Sequence, residues 1–588
     1  MDAKQKSASS KSRSSRKQSS KTPSKPEAHK LTGFMHYLLD RASAEDVAVY
    51  EKGALARASE LADKAFARHG RGDSVIAIDS NPAVTLNGKP ITVVTVVNDN
   101  MPFLFDSILG EVTDSAGQPH FVTHPVLTVE HGKSGVEKIW AESAVKGDHD
   151  ADKVSVIHIH VNRLSAEQAE TLHRKLEKLV KQIRSVVHDW KPMLARLEQA
   201  ISSFRYADVP LKKEAVEEAV AFLEWLRDDN FTFLGMRDYL YKGNERTGTL
   251  ERSGQAGLGL LADPNTLVLR SGTEAVTTTP EIRAFLNGPD PLIVTKANTK
   301  SLVHRRIYLD YIGVKTFNAK GKLLGELRIV GLFTSTAYTR SVMTIPYLRS
   351  KAQQVIAKSG FEATDHSGKA LINVLESYPR DELFQIDVPL LRKHAATILA
   401  LGERPRIRVL VRIDRFDRFV SIIVFVPRDR YDSRARERIG TYLKTAFEGR
   451  LSAYYPAFPD SGLARVHFII GRSGGKTPKV DPAELEAGVR DIVRTWDDAI
   501  ADTAETLHIE GAFAAIAQRF PESYRGSFSA AEALHDARRV AAVSADRPIA
   551  IDYYRQKDQS PQQAALKIHH FGRPVSLSRR VPLLENMG

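Results

Sequence analysis

The sequence predicts an α+β protein made of tandem ferredoxin-like β-α-β-β-α modules separated by helical segments. Three observations predict it. Residues 91–97 and 154–161 are dominated by β-branched side chains, as strands buried in a sheet are. The segments that follow them repeat apolar residues every three to four positions, the period of an amphipathic helix. The same alternation returns over residues 406–470 and again after 548, so the modules are repeated.

Leu31, Phe34, Leu38, Val47, Leu55, Leu61 and Phe66 place helices over residues 31–69, which Gly70 and Gly72 end. Strand 91–97 is broken by Asn98-Asp99-Asn100-Met101-Pro102, and a helix follows with Phe105, Ile108, Leu109 and Val112 on one face. A second strand is expected over 121–129. The third, 154–161, turns Ile157, Ile159 and Val161 to one side and His158 and His160 to the other. Ser165 and Gln168 have the spacing of a capping box, and Leu172, Leu176, Leu179, Ile183 and Val187 form the apolar stripe of the helix they start. One strand is lacking for a complete ferredoxin-like sandwich, and residues 75–79 are expected to supply it.

Further along, strands are expected at 231–234, 267–269, 292–294, 306–309 and 327–330, then helices to 400. This organisation divides the chain into a disordered basic tail (1–30), a helical N-terminal segment (31–72), a first module (73–195), a mixed helical and β-rich middle region (205–400), a second module (401–500), a helical linker (501–545) and the start of a third module (546–588). In the last, Pro582 is expected to kink a helix and Gly588 to sit at its C′ position. The chain is read as ending inside that module.

Composition narrows the function. There is no cysteine, which excludes disulfides, thiolate metal sites and a cysteine nucleophile. The net charge of +13 invites a nucleic-acid reading. Yet residues 1–30 hold nine basic and two acidic side chains, so the tail carries +7 of it. The body has no recognisable nucleic-acid module, and no nucleic-acid partner is expected. The longest apolar runs, such as 420–426, fall far short of the roughly 20 residues that span a bilayer, and no secretory h-region opens the chain. No membrane partner is expected, and the location expected is cytoplasmic.

Several motifs fail their structural context. Residues 471–477 (Gly-Arg-Ser-Gly-Gly-Lys-Thr) are one residue short of a phosphate loop, and Pro478 and Pro482 interrupt the helix it needs. Gly257-Leu-Gly259-Leu-Leu-Ala262 fits a dinucleotide fingerprint formally, but no strand precedes it and Pro264 follows. No cofactor is therefore expected on this chain. His120, His124, His158 and His160 could meet on one sheet face, but no carboxylate joins them at ligand spacing; packed histidines are the expectation, and no metal. The alternating charges of 428–436 suggest a self-paired surface or interface. The best small-molecule candidate is the loop after the first buried strand. There Asn98, Asp99 and Asn100, with Asp106 and Ser107 one turn into the helix, could hold an amino acid, its carboxylate on the helix N-terminus and its amine on a side-chain oxygen. The plain alternative is that these residues only make the turn and cap the helix.

Five strings carry a resemblance: 287–298 (NGPDPLIVTKAN), 303–306 (VHRR), 333–338 (FTSTAY), 378–384 (YPRDELF) and 419–436 (FVSIIVFVPRDRYDSRAR). With them the chain, from about residue 30 onward, resembles the large bacterial NAD-specific glutamate dehydrogenases. The resemblance implies ACT-type ferredoxin-like modules, often amino-acid-sensing, ahead of a catalytic domain that lies further along the polypeptide. Asp99 to Leu104 is similar to the ACT signature, in which an Asp precedes Pro-Gly-Leu, but Phe103 stands where the glycine would be. No catalytic residue of the family can be placed on these 588 positions.

The function expected from this resemblance is that of an N-terminal regulatory and oligomerisation region of an NAD-dependent glutamate dehydrogenase. The parent enzyme would use NAD, this chain would bind none and would be inactive alone, and its partners would be a second copy, an amino-acid effector or a separately encoded catalytic portion. The alternative is a stand-alone ACT-type amino-acid-binding regulator without enzymatic activity.

Overall fold

Residues 34–586 are described by a computed structural model, apart from residues 41, 52, 81–83, 133–134, 141–151, 245, 267, 272–273, 276–277, 363, 460–461, 556–561, 563 and 574. The tail 1–30 and Gly588 lie outside the described residues.

Helices α1 (Phe34–Leu39), α2 (Ala44–Ala48) and α3 (Ala54–Ala67) precede a seven-stranded sheet of β1 (Ser74–Asp79), β2 (Thr85–Leu86), β3 (Lys89–Asp99), β4 (Phe121–Thr123), β5 (Val126–Gly132), β6 (Gly135–Trp140) and β7 (Asp152–Asn162). Its order is β1-β3-β7-β5-β6, with β2 on β3 and β4 on β7. Strand β1 pairs antiparallel along the free edge of β3, Ser74 opposite Asn98, so the segment 74–79 does complete the ferredoxin-like sandwich. The strand expected over 121–129 is two strands, because Pro125 has no N–H to give the ladder. Both halves pair with β7, at different places along it. Helices α4 (Leu104–Ala116) and α5 (Ala166–His188) cover Val94, Val96, Ile157, Ile159 and Val161 on one face. The N-terminal helices cover Val93, Val97, Phe121, Val154 and Val156 on the other. Burial on both faces is why β3 reads as an unbroken β-branched run. Ser165 and Gln168 form the expected capping box of α5.

The middle region begins with α6 (Trp190–Tyr206) and α7 (Lys213–Trp225), after which the chain kinks at Asp228 and Asp229, the latter with φ of +58°. A second antiparallel sheet follows: β8 (Phe231–Lys242), β9 (Thr249–Arg252), β10 (Leu258–Gly259), β13 (Leu292–Lys300), β14 (Tyr308–Phe317) and β15 (Leu323–Phe333), in the order β10-β8-β15-β14-β13 with β9 on β8. The small hairpin β11 (Arg270–Ser271) and β12 (Glu274–Ala275) and helix α8 (Pro280–Asn287) lie between β10 and β13. Val268 and Leu269, expected in a strand, are buried outside any strand; the Val268 carbonyl accepts the Asn298 N–H at 3.0 Å as a single link.

Tyr311, Val330 and Leu332, on one face of this sheet, join the core under α4 and α5 of the first module. Ile312, Val314, Leu327 and Ile329, on the other, pack with α6, α7 and a helical group. That group is α9 (Ser335–Thr339), α10 (Leu348–Ala357), α11 (His366–Ser377), α12 (Arg380–Gln385) and α13 (Val388–Glu403).

The second module comprises β16 (Arg408–Ile413), β17 (Phe419–Pro427), α14 (Ser433–Ala446), β18 (Arg450–Ala457), β19 (Leu463–Gly471) and α15 (Pro482–Ile492), with sheet order β16-β17-β19-β18. This is the path β1-β3-β7-β5 again: an edge strand ahead of the first strand, then the third, then the second. Val420, Ile422, Val424, Val466, Phe468 and Ile470 pack under α14 and α15. On the opposite face Ile423 and Phe425 join the helical core of the middle region.

Helices α16 (Trp496–Thr506), α17 (Gly511–Ala517), α18 (Glu522–Arg525) and α19 (Ala530–Ala541) have a small core around Ile500 and Leu534. After them, β20 (Ile549–Tyr554) pairs antiparallel with β21 (Ala565–His570), and α20 (Leu577–Glu585) follows with Pro582 inside it. Edge strand, first strand, helix is the order in which the other two modules begin.

Candidate effector site

The five residues expected to hold an effector divide into two groups. Asn98 is fully buried; its amide donates to the Asp99 carbonyl at 2.7 Å and its oxygen accepts from Arg184 at 2.6 Å. Asp99 accepts the Gly72 N–H at 3.0 Å, and Asn100 accepts the Ser155 hydroxyl at 2.9 Å. All three hold the end of β3 to its neighbours. Across the turn, Ser107 donates to the Phe103 carbonyl at 2.5 Å and accepts the N–H of His304 at 2.8 Å. Asp106 lies 3.5 Å from the His304 ring.

Phe103 precedes α4 with φ of +69°, the left-handed region where a glycine costs nothing and a phenylalanine is strained. Its ring lies against His304, centroids 5.1 Å apart. The helix start that was to receive a carboxylate is therefore faced by residues of the middle region. Arg306 extends the contact, reaching Glu111 at 2.5 Å and Asp114 at 2.8 Å. Burial would raise the Glu111 pKa, but hydrogen bonds from Arg306 and Ser115, with Lys175 nearby, hold it below the usual carboxylate range.

The four histidines do not converge. His120 bonds Asn162 at 2.9 Å, and His124 stacks on Phe105 and meets Ser155 at 3.1 Å. His158 and His160 touch each other at 2.9 Å in a buried chain that runs from the Tyr50 hydroxyl to that of Thr95. Burial holds His158 down at about 3 and, with His158 and His120 nearby, pushes His160 well below its ordinary value. No group of three or more metal-ligating side chains occurs among the described residues. Gly259, in the formal dinucleotide motif, gives its N–H to Asp189 at 2.7 Å and leads into one 3₁₀ turn rather than a helix. In the run 428–436, Arg430 pairs with Asp498 at 2.7 Å and Asp432 caps α14.

Sequence reading missed a larger site. Where the sheet of the second module turns away from its own helices, it faces β13, β14 and α12 across a cleft of about 840 Å³. Alternation along β19 sends Val466, Phe468 and Ile470 into the core and Arg465, His467 and Ile469 to the cleft. Lys296, Asn298 and Tyr308 come from the middle sheet, Arg380, Asp381 and Glu382 from α12, Arg450, Ser452 and Tyr455 from β18, and Arg472 to Gly475 from the loop read as a failed phosphate site. Its floor is a set of buried ion pairs. Arg412 meets Glu382 through two contacts of 2.6 and 2.8 Å, and Lys296 lies 2.7 Å from Asp310 and 3.3 Å from Asp381. Arg418 joins Asp414 at 2.7 Å to Thr295 at 2.8 Å, crossing from the second module to β13. Burial raises the Asp310 carboxyl to about 6 against the pull of Lys296. Each of the five strings that carry the family resemblance contributes a residue here, Asn298, Arg305, Tyr338, Arg380 and Phe419 among them. That convergence was the available signal.

The recurring strand order and the helices over one face define this as a protein of tandem ACT-type modules built around a helical region. Residues 34–176, 408–497 and 548–588 match the glutamate dehydrogenase ACT1, ACT2 and ACT3 domains, and residues 345–404 match helical motif 1 of glutamate dehydrogenase. The chain is 32% identical over 507 residues to the NAD-specific glutamate dehydrogenase of Halomonas elongata, and 31% identical over 504 residues to that of Pseudomonas aeruginosa. Each match covers 84% of this chain and 31% of the relative. The Mycobacterium tuberculosis enzyme of the same name is 25% identical over 433 residues. The chain belongs to the NAD-specific glutamate dehydrogenase family, and spans about a third of the length of the curated relatives it matches.

Proposed function

We propose that this chain is the N-terminal regulatory and assembly region of an NAD-dependent glutamate dehydrogenase. The parent reaction would convert L-glutamate, NAD and water to 2-oxoglutarate, ammonia and NADH. The observation that carries this reading is the arrangement of three ACT-type units around a helical motif, matched segment by segment to the glutamate dehydrogenase family. The chemistry and the NAD site are assigned to residues outside these 588. Within the chain, the one sequence that fits a dinucleotide fingerprint lacks the strand, turn and helix that bind a pyrophosphate. No helix among the described residues is long and apolar enough to cross a membrane.

Two measurements test this. The purified chain, given L-glutamate and NAD, is expected to produce no NADH, while sedimentation shows a defined oligomer. Turnover by the chain alone overturns the assignment of the chemistry elsewhere. A strictly monomeric chain at micromolar concentration overturns the assembly role.

A further inference from the structure

We propose that the cleft between α12, β13 and the open face of the second module binds a small organic anion, through carboxylate or phosphate oxygens, with Arg380 and Arg465 as its principal grip. The charge of the lining carries the first step. Its three carboxylates are already partnered: Asp381 by Lys296 and the Tyr338 hydroxyl, Glu382 by Arg412, and Asp417 by the N–H and hydroxyl of Thr477. Two of its cations, Lys296 and Arg418, are matched by buried carboxylates. The remaining guanidinium groups have no such match. Arg465 donates to the Ser377 carbonyl, and Arg380 donates to the Arg340 carbonyl at 3.0 Å with Glu376 no closer than 3.7 Å. Arg472 is fixed by backbone carbonyls, and Arg450 stands exposed at the rim.

The second step is unmet hydrogen bonding. The Arg380 side chain is only 6% exposed, yet its Nη1 has no acceptor. The Arg472 side chain is 3% exposed and its Nε is likewise without a partner, as is the buried hydroxyl of Ser452 on β18. A buried donor left unpaired costs about 1–3 kcal/mol, and more when charged. With the Nε of Arg305, whose Nη2 donates to the Phe333 carbonyl, four of them line one cleft and mark a place where an acceptor belongs. Burial lowers the pKa of both Arg380 and Arg465, but guanidinium stays protonated at any physiological pH; Glu376, 3.7 Å away, answers the Arg380 charge in part, and an anion in the cleft would answer the rest. The planar fork suits the paired oxygens of a carboxylate or a phosphate.

The rest of the lining sets size and shape. Tyr308, Tyr455, Ile307 and Ile469 offer an apolar wall beside the arginines, so the anion carries a hydrocarbon or ring portion. Arg380 belongs to the helical region and Arg465 to the second module, and an anion between them adds a tie across that junction. That the tie transmits a regulatory signal rests on the reading above; that the cleft binds an anion does not.

The test is calorimetric titration of the full chain with succinate and 2-oxoglutarate as carboxylates and with pyrophosphate and adenosine monophosphate as phosphates. At least one class is expected to bind with one site per chain, and which one binds identifies the head group. Arg465→Gln and Arg380→Lys are each expected to weaken it at least tenfold, while Arg163→Gln on the distant first module leaves it unchanged. Circular dichroism and the retained oligomer confirm the fold of each variant, and Arg450→Gln, at the exposed rim, serves if Arg380→Lys does not fold. No binding of either class at millimolar concentration, or binding that both Arg465→Gln and Arg450→Gln leave untouched, overturns the proposal. Binding here without any effect on the parent enzyme's activity would overturn only the regulatory reading.

Discussion

Arg412, on the edge strand of the second module, grips Glu382, on a short helix of the middle region, by two hydrogen bonds of 2.6 and 2.8 Å, with both side chains nearly sealed from water. Burial would raise the Glu382 carboxyl, but Arg412 outweighs it and holds the pKa down at about 2. The pair joins two regions at a shared apolar seam, where Leu410, Ile423 and Phe425 of the second module belong to the same core as Leu383 and Phe384. Removing one partner leaves a buried charge unanswered, at a cost of about 3–5 kcal/mol. Arg412→Ala is therefore expected to raise amide exchange sharply in both α12 and β16, and the double variant Arg412→Met, Glu382→Leu to restore most of the protection. A folded carboxyl with a depressed pKa stabilises above its ordinary value and loses that contribution as pH falls toward the folded value. The wild-type junction should accordingly weaken from about pH 4.5 down to 2, and the double variant should not.

Gly110 is a helical residue that a Cβ would bring to within 2.7 Å of the Arg306 Nε. In an isolated helix, Gly to Ala gains up to about 1 kcal/mol. Here Arg306 is pinned between Glu111 and Asp114 and has little room to yield. Gly110→Ala is expected to loosen the segment 301–306 from α4 at a cost of about 1–2 kcal/mol, seen as faster proteolysis within that segment. The double variant Gly110→Ala, Arg306→Ala should recover the helix gain in α4 while leaving the segment loose.

The buried pair His158–His160 makes the first module acid-sensitive. Each imidazole is neutral in the fold, and His158 stays so down to about pH 3. Between its ordinary value of 6.5 and that point the unfolded chain binds protons that the folded chain does not, so stability falls with falling pH by about 1.4 kcal/mol per unit for each histidine. From pH 7 to 5 the module should lose about 3–4 kcal/mol. Exchange protection along β7, corrected for intrinsic rates, measures it. A flat profile over that range would mean the pair is solvated.

The modules were legible because their signals are local. Ile157, Ile159 and Val161 alternate within five residues, and Ser165 and Gln168 announce α5 without help from the rest of the chain. The cleft was not, because Lys296, Arg380, Arg465 and Arg472 each read alone as a solvated charge, and only the packing of β19 against α12 and β13 brings them together. Phe103 lies between these cases. Its departure from the glycine of the signature is visible in the sequence, but the positive φ it accepts and the His304 ring that covers it are tertiary facts.

Lys351 gives the last prediction, because it fixes the helix that carries Arg380, Asp381 and Glu382. From α10 its ammonium donates to the carbonyls of Leu383, Phe384 and Ile386 at 3.0, 2.9 and 2.9 Å, the open C-terminal end of α12. Burial, with Arg412 nearby, lowers the Lys351 pKa to about 7, but protonated or neutral its N–H groups answer the unpaired carbonyls, and when protonated it also meets the negative end of the helix dipole. Lys351→Met keeps the length and apolar stem of the side chain but leaves three carbonyls with no donor, at a cost of about 3 kcal/mol or more. The expected outcome is faster exchange over residues 380–387 with β19 still protected, since its Val466, Phe468 and Ile470 pack under the second module's own helices. Arg380 would then lose its fixed position at the cleft, so the same variant should weaken anion binding there even though Lys351 does not line it. Unchanged exchange in α12 would mean that packing of Leu383 and Phe384 alone holds the helix.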